Sequence, residues 1–147
     1  MKISTRGCYA VRLMLDLALN SGKGPIPLKE IAQRQQMGGS YLESIVKQLV
    51  RAGLIRSVRG AGGGYWLSRP PEEYTVGDIL CQIEGNLAPI YCDSMESCGM
   101  AYEQVDYCVT MEVWAQIHEA VRNVVDHITL VDLMKRYREK TQEKARE

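Results

Sequence analysis

The feature that most narrows the folds open to this chain is a run of six residues, Arg59-Gly60-Ala61-Gly62-Gly63-Gly64, set between two short stretches of strand-forming side chains. Leu54-Ile55-Arg56-Ser57-Val58 precedes it and Tyr65-Trp66-Leu67 follows. Four glycines in so short a span supply the backbone freedom that a reversal needs, so the unit reads as a β-hairpin with a glycine-rich tip. Pro70-Pro71 then ends the second strand. The run fits neither GxGxxG nor GxxxxGK[ST] spacing, which argues against a nucleotide loop.

Three helical patterns lead into the hairpin. Tyr9, Ala10, Leu13, Leu17 and Ala18 recur at helical spacing, with Ser4 or Thr5 placed to cap the start and a Gly/Pro turn after Asn20. A second helix follows Pro27, carries Leu28, Ile31 and Ala32, and stops around Met37-Gly38-Gly39. A third spans Ser40 to Ala52, with Leu42, Ile45, Val46, Leu49 and Val50 on one face, Ser40 as N-cap and Gly53 as a left-handed stop. Two short helices joined by a glycine turn and followed by a hairpin form the winged helix-turn-helix pattern.

Beyond the hairpin, Thr75-Val76-Gly77-Asp78 has the spacing of a capping box for a helix through Ile83. Residues 85–107 hold no sustained period and read as a loop. A long helix from about Cys108 to His127 follows, with Val109, Val113, Ile117, Val121 and Val124, then Ile128, recurring along it. Thr129-Leu130-Val131-Asp132 caps a short last helix, and the charged tail from Lys135 is expected to fray. The expected organisation is therefore mainly α: a winged helix-turn-helix domain over 1–84, a loop over 85–107, a dimerisation helix and short last helix over 108–134, and a tail over 135–147. The apolar stripe of the long helix, with Trp114, calls for a homodimer partner's equivalent helix, or for the chain's own first helix.

Net charge is zero, yet residues 1–74 hold eleven Lys/Arg and five Asp/Glu, while residues 75–147 hold seven and thirteen. A basic front half suits phosphates and an acidic back half repels them. The helix beginning at Ser40 would fit the major groove of double-stranded DNA with Ser40, Tyr41, Glu43 and Ser44 at its leading end, and Lys47 one turn on. Glu43 either accepts from a cytosine amino group or is a surface charge paired with Lys47. At the tip, Arg59 suits a narrow minor groove, and Gly60 lets backbone approach sugar and phosphate. A twofold dimer would present two such helices to half-sites about 34 Å apart or a multiple of it.

No stretch reads as a targeting or membrane segment, so a cytoplasmic location without membrane contact is expected. In a reducing compartment the five cysteines are thiols or metal ligands rather than disulfides. Cys92, Cys98 and Cys108 follow C-x5-C-x9-C, unlike common zinc spacings, which leaves a soft-metal centre, zinc or three inert thiols. Cys81 sits among Ile79, Leu80 and Ile83 and is expected in the core; His118 reads as helix surface and His127 as a helix-end residue. With no C-x-x-C, nucleotide loop or His–Asp pair, an enzyme, including a thiol or metal enzyme, is disfavoured. The residues alone indicate a metal- or redox-responsive DNA binder.

Met1-Lys2-Ile3-Ser4-Thr5-Arg6-Gly7, Ser40-Tyr41-Leu42-Glu43 and Val58-Arg59-Gly60-Ala61-Gly62-Gly63-Gly64-Tyr65 resemble the family of winged-helix regulators that includes IscR, NsrR and CymR. The resemblance covers about residues 1–133. It implies a dimeric DNA-binding repressor in which Ser40, Tyr41, Glu43 and Arg59 sit where family members contact DNA. It also implies an iron–sulfur cluster on Cys92, Cys98 and Cys108, 2Fe–2S in preference to 4Fe–4S, and control of iron–sulfur assembly genes. The chain departs from the IscR type, which has C-x5-C-x5-C and a His three residues on; here Met111 stands at that position. Cys8 is the first candidate for a fourth ligand, because nitric-oxide-sensing relatives use an acidic residue there; Met111 and Glu112 are lesser ones. The alternative within the family is a CymR-like regulator of cysteine metabolism, controlled by a partner protein or thiol oxidation without a cluster.

Overall fold

The computed structural model describes residues 2–89 and 109–146. Its elements, in chain order, are α1 (Thr5–Leu19), α2 (Leu28–Gln35), α3 (Gly39–Arg51), β1 (Ile55–Val58), β2 (Gly64–Leu67), a 3-10 turn (Pro71–Glu73), α4 (Val76–Glu84), α5 (Val109–Val125) and α6 (Leu130–Lys144). The mainly α winged helix-turn-helix expected from the sequence is what forms.

Local chemistry sets several boundaries. Ser4 caps α1 by accepting from the Gly7 N–H at 3.1 Å. Both capping boxes form: Thr75 with Asp78 at α4, and Thr129 with Asp132 at α6. Gly53 ends α3 at φ 72°.

The cap of α3 corrects the sequence reading. Gly38 is the N-cap, without a side-chain hydrogen bond, and Ser40 is already the second helical residue. The glycine pair before Ser40 lets the chain enter the helix earlier, and the Ser40 side chain stays exposed.

The last helix needs a larger correction. It is not short and its tail does not fray at Lys135; α6 continues to Lys144. Leu130 is buried, and Leu133 and Met134 pack on the main core, which nucleates the helix. Beyond them, Lys, Arg, Glu and Gln propagate it by their high helix propensity. This revises the charge reading by halves. Of the seven cationic residues after Thr75, six lie in 135–147, and α6 packs against α1, so they return to the basic end of the molecule.

The core is built by α1, α2 and α3 around Leu13, Met14, Leu17, Ile31, Leu42, Ile45 and Leu49, all with under 2% exposure. Each such side chain contributes roughly 1.5–3 kcal/mol by leaving water. Tyr74 is fully buried below the hairpin, where its hydroxyl donates to the Leu54 carbonyl at 2.6 Å and accepts from the Arg69 N–H at 3.0 Å. The strands pair antiparallel with Ile55 opposite Leu67 and Val58 opposite Gly64. Ile26 bridges to the other edge of β2, exchanging two 2.9 Å backbone hydrogen bonds with Tyr65. Gly64 permits that approach: a Cβ there would collide with the Ile26 backbone.

α5 packs on α4, and its Val125 and Val121 share a small apolar cluster with Leu80, Leu87 and Val11 of α1. Val125 is its one buried residue, while Val109, Val113 and Val124 are 73%, 49% and 58% exposed. After α5 the chain returns to the body beside the start of α4. Thr75 and Thr129 form an antiparallel bridge, flanked by Val76 N–H to Ile128 O at 2.8 Å and Leu130 N–H to Tyr74 O at 3.0 Å.

Candidate nucleic-acid interface

α3 buries Leu42, Ile45, Val46 and Leu49 and turns its other face outward. That face carries Ser40, Tyr41, Glu43 and Lys47, all exposed, with Ser44 half-buried. Among the described residues Glu43 and Lys47 form no ion pair despite their i,i+4 spacing, so the Glu43 carboxylate meets solvent without a bonded counter-charge. Arg59 and Gly60 lie exposed at the hairpin tip, where Gly60 takes φ 110° and accepts from the Gly63 N–H at 3.0 Å. The tip is held closed by its own backbone, since a Cβ on Gly63 would meet the Val58 carbonyl.

Three residues of α1 brace this face: Arg6 and Arg12, to which the sequence assigns no role, and Tyr9, which belongs to the helix's apolar repeat. Tyr9 meets Tyr41 edge to face, with ring centroids 5.7 Å apart at 78°. The Arg12 guanidinium lies 5.5 Å from the Tyr9 ring centroid and donates to Gln35 twice, to Oε1 at 3.1 Å and to the backbone carbonyl at 2.9 Å. Arg6 donates to the Ser44 carbonyl at 3.2 Å. The signal was present as spacing: Arg6, Tyr9 and Arg12 recur every third residue and share one helix stripe.

Beneath them, Asp16 is 3% exposed and accepts three hydrogen bonds: Arg34 Nη2 at 2.7 Å, Arg34 Nε at 3.0 Å and Gln35 Nε2 at 2.9 Å. Hydrogen bonding to Asp16, opposed in part by burial, raises the Arg34 pKa further and keeps the guanidinium charged. The pair ties the end of α2 to α1 just before the turn into α3.

A second set of contacts ties α3 to the end of α4. Gln48 Nε2 donates to the Gln82 carbonyl at 2.6 Å. Glu84 accepts from Ser4 N–H at 2.9 Å and Ser4 Oγ at 2.6 Å, which joins the end of α4 to the start of α1.

Cys92, Cys98 and Cys108 lie outside the described residues. Cys8 is exposed at the end of the first turn of α1. Met111 is half-buried and Glu112 exposed in the first turn of α5. Among the described residues no three His, Cys, Asp or Glu side chains gather as a metal site. Cys81 packs against the small core cluster of Leu80, Leu87 and Val125 as expected, but it is only partly buried, at the seam of α4 and α5, with Arg122 Nη1 2.9 Å from its sulfur. His118 is half-buried rather than surface, and His127 bonds the Asn123 carbonyl at 2.8 Å near the helix end. No helix among the described residues is long and apolar enough to cross a membrane.

The model of the Rrf2 family, described as an iron-dependent transcriptional regulator, matches residues 3–136. The chain is 41% identical over 133 residues to the HTH-type transcriptional regulator CymR of Bacillus subtilis, covering 90% of this chain and 89% of that one. Among solved structures, T. potens IscR superposes with TM-score 0.78 at 40% identity, covering 95% of this chain and 90% of that chain. The structure of CymR, the global cysteine regulator of B. subtilis, superposes with TM-score 0.77 at 38% identity, covering 92% and 97%. Family match, near-full-length relatives and the exposed helix and wing agree: this chain belongs to the Rrf2 family and is a winged helix-turn-helix transcriptional regulator.

Proposed function

We propose that the chain acts in the cytoplasm as a homodimer that binds a duplex operator and represses transcription according to the state of an iron–sulfur cluster. The observation that carries this reading is the chemistry of the thiol set. Cys92, Cys98 and Cys108 supply three soft donors within one segment, and Cys8 supplies a fourth, exposed on α1. A small groove lined by Lys2, Ile3, Ala88 and Pro89 supports Cys8, because the chain leading to the cysteine segment runs against the residues leading into α1. Met111 and Glu112 are weaker candidates, a thioether and a carboxylate being poorer donors to such a centre. A cluster bound there, 2Fe–2S in preference to 4Fe–4S, would supply a reversible redox couple and a tie between thiolates.

The remaining roles belong to the protein. Ser40, Tyr41, Glu43 and Ser44 would read base edges in the major groove, Lys47 would neutralise a phosphate, and Arg59 with Gly60 would approach the minor groove. The exposed valines of α5 would be covered by the partner's α5. Ser4–Glu84 and Gln48–Gln82 would carry a displacement of residues 85–89 to α3 and to Glu43. The iron–sulfur assembly genes are the targets this reading names.

A second reading is a CymR-like regulator of cysteine metabolism without a cluster. The identity to CymR and Met111 in place of the IscR-type His favour it. Purification without oxygen separates the two. The first reading expects a brown protein with absorption between about 320 and 460 nm and matched iron and sulfide. A colourless protein after reconstitution with iron and sulfide removes the cluster and leaves the second. Operators selected from random duplexes then test the DNA face: Arg59→Ala weakens binding and lowers the salt slope by about one.

A further inference from the structure

The extension of α6 creates a cleft that the sequence did not foreshadow. It is a concavity of roughly 680 Å³ between α1, the end of α2 and α6. Leu15 and Leu19 give it apolar walls, and Asp16 with its Arg34 partner lies at its base. Arg12 and Tyr137–Arg138 line it from opposite elements.

Charge in this cleft is not balanced. Arg34 answers the Asp16 carboxylate and also reaches Glu30 at 3.4 Å. Arg12 bonds only the neutral Gln35 and the face of Tyr9, and among the described residues neither Arg12 nor Arg138 meets a carboxylate. Two guanidiniums without counter-charge, beside apolar walls and a phenol, match a ligand with an anionic head and a short carbon body. Arg12 also braces the α2–α3 turn and, through Tyr9, the Tyr41 ring at the head of α3.

We propose that this cleft binds a small organic anion bearing carboxylate or phosphate groups, and that its occupancy reaches the recognition helix through Arg12. The ligand engages the Arg12 guanidinium while Gln35, which also lines the cleft, and Tyr9 hold it, so the same guanidinium serves both the cleft and the turn before α3. No cysteine among the described residues lines this cleft, and the proposal does not depend on a cluster.

The test titrates the full-length protein with citrate and, separately, inorganic phosphate, at ionic strength held constant with chloride, followed by calorimetry. Saturable binding is expected, weakened roughly tenfold or more in Arg138→Ala and partly restored in Arg138→Lys. Circular dichroism checks that the variants keep their helices; Arg138 is exposed on α6, outside the core. Citrate or phosphate is also expected to change affinity for a selected operator in the parent and not in Arg138→Ala. No saturation by either probe up to roughly 10 mM would overturn the site, as would equal affinity in Arg138→Ala. Weaker operator binding by Arg138→Ala with neither probe present would overturn it too, since Arg138 would then serve the DNA backbone. Binding that leaves operator affinity unchanged refutes the link through Arg12.

Discussion

Replacing Asp16 by Asn removes one charge from beneath the helix-turn-helix while keeping the side chain's shape. The Asp16 side chain is 4% exposed and Arg34 is 38% exposed, so the carboxylate is desolvated and the guanidinium only partly so. Two charge-assisted hydrogen bonds from Arg34 would be worth about 1.5–3 kcal/mol each in a buried setting. The exposure of Arg34 lets it return to water once freed, which places each at the low end, about 3 kcal/mol together. For a chain of this length that corresponds to a fall of roughly 6–12 °C in melting temperature. Thermal unfolding at neutral pH, with guanidinium titration for the free energy, measures it. Arg34→Met should cost at least as much, because it leaves Asp16 buried without its cation. The double variant should then be no worse than Arg34→Met alone. A loss below about 1 kcal/mol for Asp16→Asn, or single losses that simply add in the double variant, would refute the argument that this pair is a coupled, buried unit.

Three further outcomes follow from the geometry. Hydrogen bonds from the Thr129 backbone and side chain hold the Asp132 pKa below its ordinary 3.8, so its capping contribution is present above that value and lost as pH falls through the lower folded value. The stability gap between the parent and Asp132→Asn should therefore narrow as acid titration passes below 3.8, and a pH-independent gap would contradict the capping role. Gly64→Ala should open the Ile26–Tyr65 rung and cost about 1–3 kcal/mol by chemical denaturation, whereas Gly62→Ala, whose Cβ meets nothing, should stay within about 0.5 kcal/mol; equal effects would mean that Gly64 is not a steric requirement. Under the proposed dimer through α5, the parent should sediment as a dimer and Val113→Glu as a monomer with its circular dichroism retained; a monomeric parent would remove the dimer, and a dimer that persists in the variant would place the interface elsewhere.

What the sequence revealed was whatever local chemistry decides. The hairpin follows from its glycines, and the capping boxes follow from Thr75–Asp78 and Thr129–Asp132, because each needs only neighbours in sequence. Ser40 misled because it is a strong cap former beside a glycine pair that enters the helix just as readily. The outer half of α6 was illegible because no apolar period runs through it; its order derives from Leu133 and Met134 docked on the core upstream of it. Cys81 followed an apolar pattern on α4, but Arg122 arrives from a helix far away in sequence. Arg6 and Arg12 look like a solvated helix face, and Tyr9 like part of the apolar repeat, until Ser44, Gln35 and Tyr41 are brought against them. Of the proposed ligands, Cys8, Met111 and Glu112 lie among the described residues, on α1 and α5, and their separation in sequence carries no information about how near the two helices come.

The bridge between Thr75 and Thr129 closes residues 76–128, which include α4 and α5, into one excursion with a clamped neck. A loop whose ends are fixed can change length cheaply: even doubling a flexible span costs only about 0.6 kcal/mol in closure entropy. The four residues by which this chain's cysteine spacing exceeds the IscR type fall between Cys98 and Cys108, inside that excursion in sequence and outside the helix-turn-helix and wing. Under the proposed function, inserting, deleting or exchanging donors there would retune the sensor while the neck keeps the reader in register.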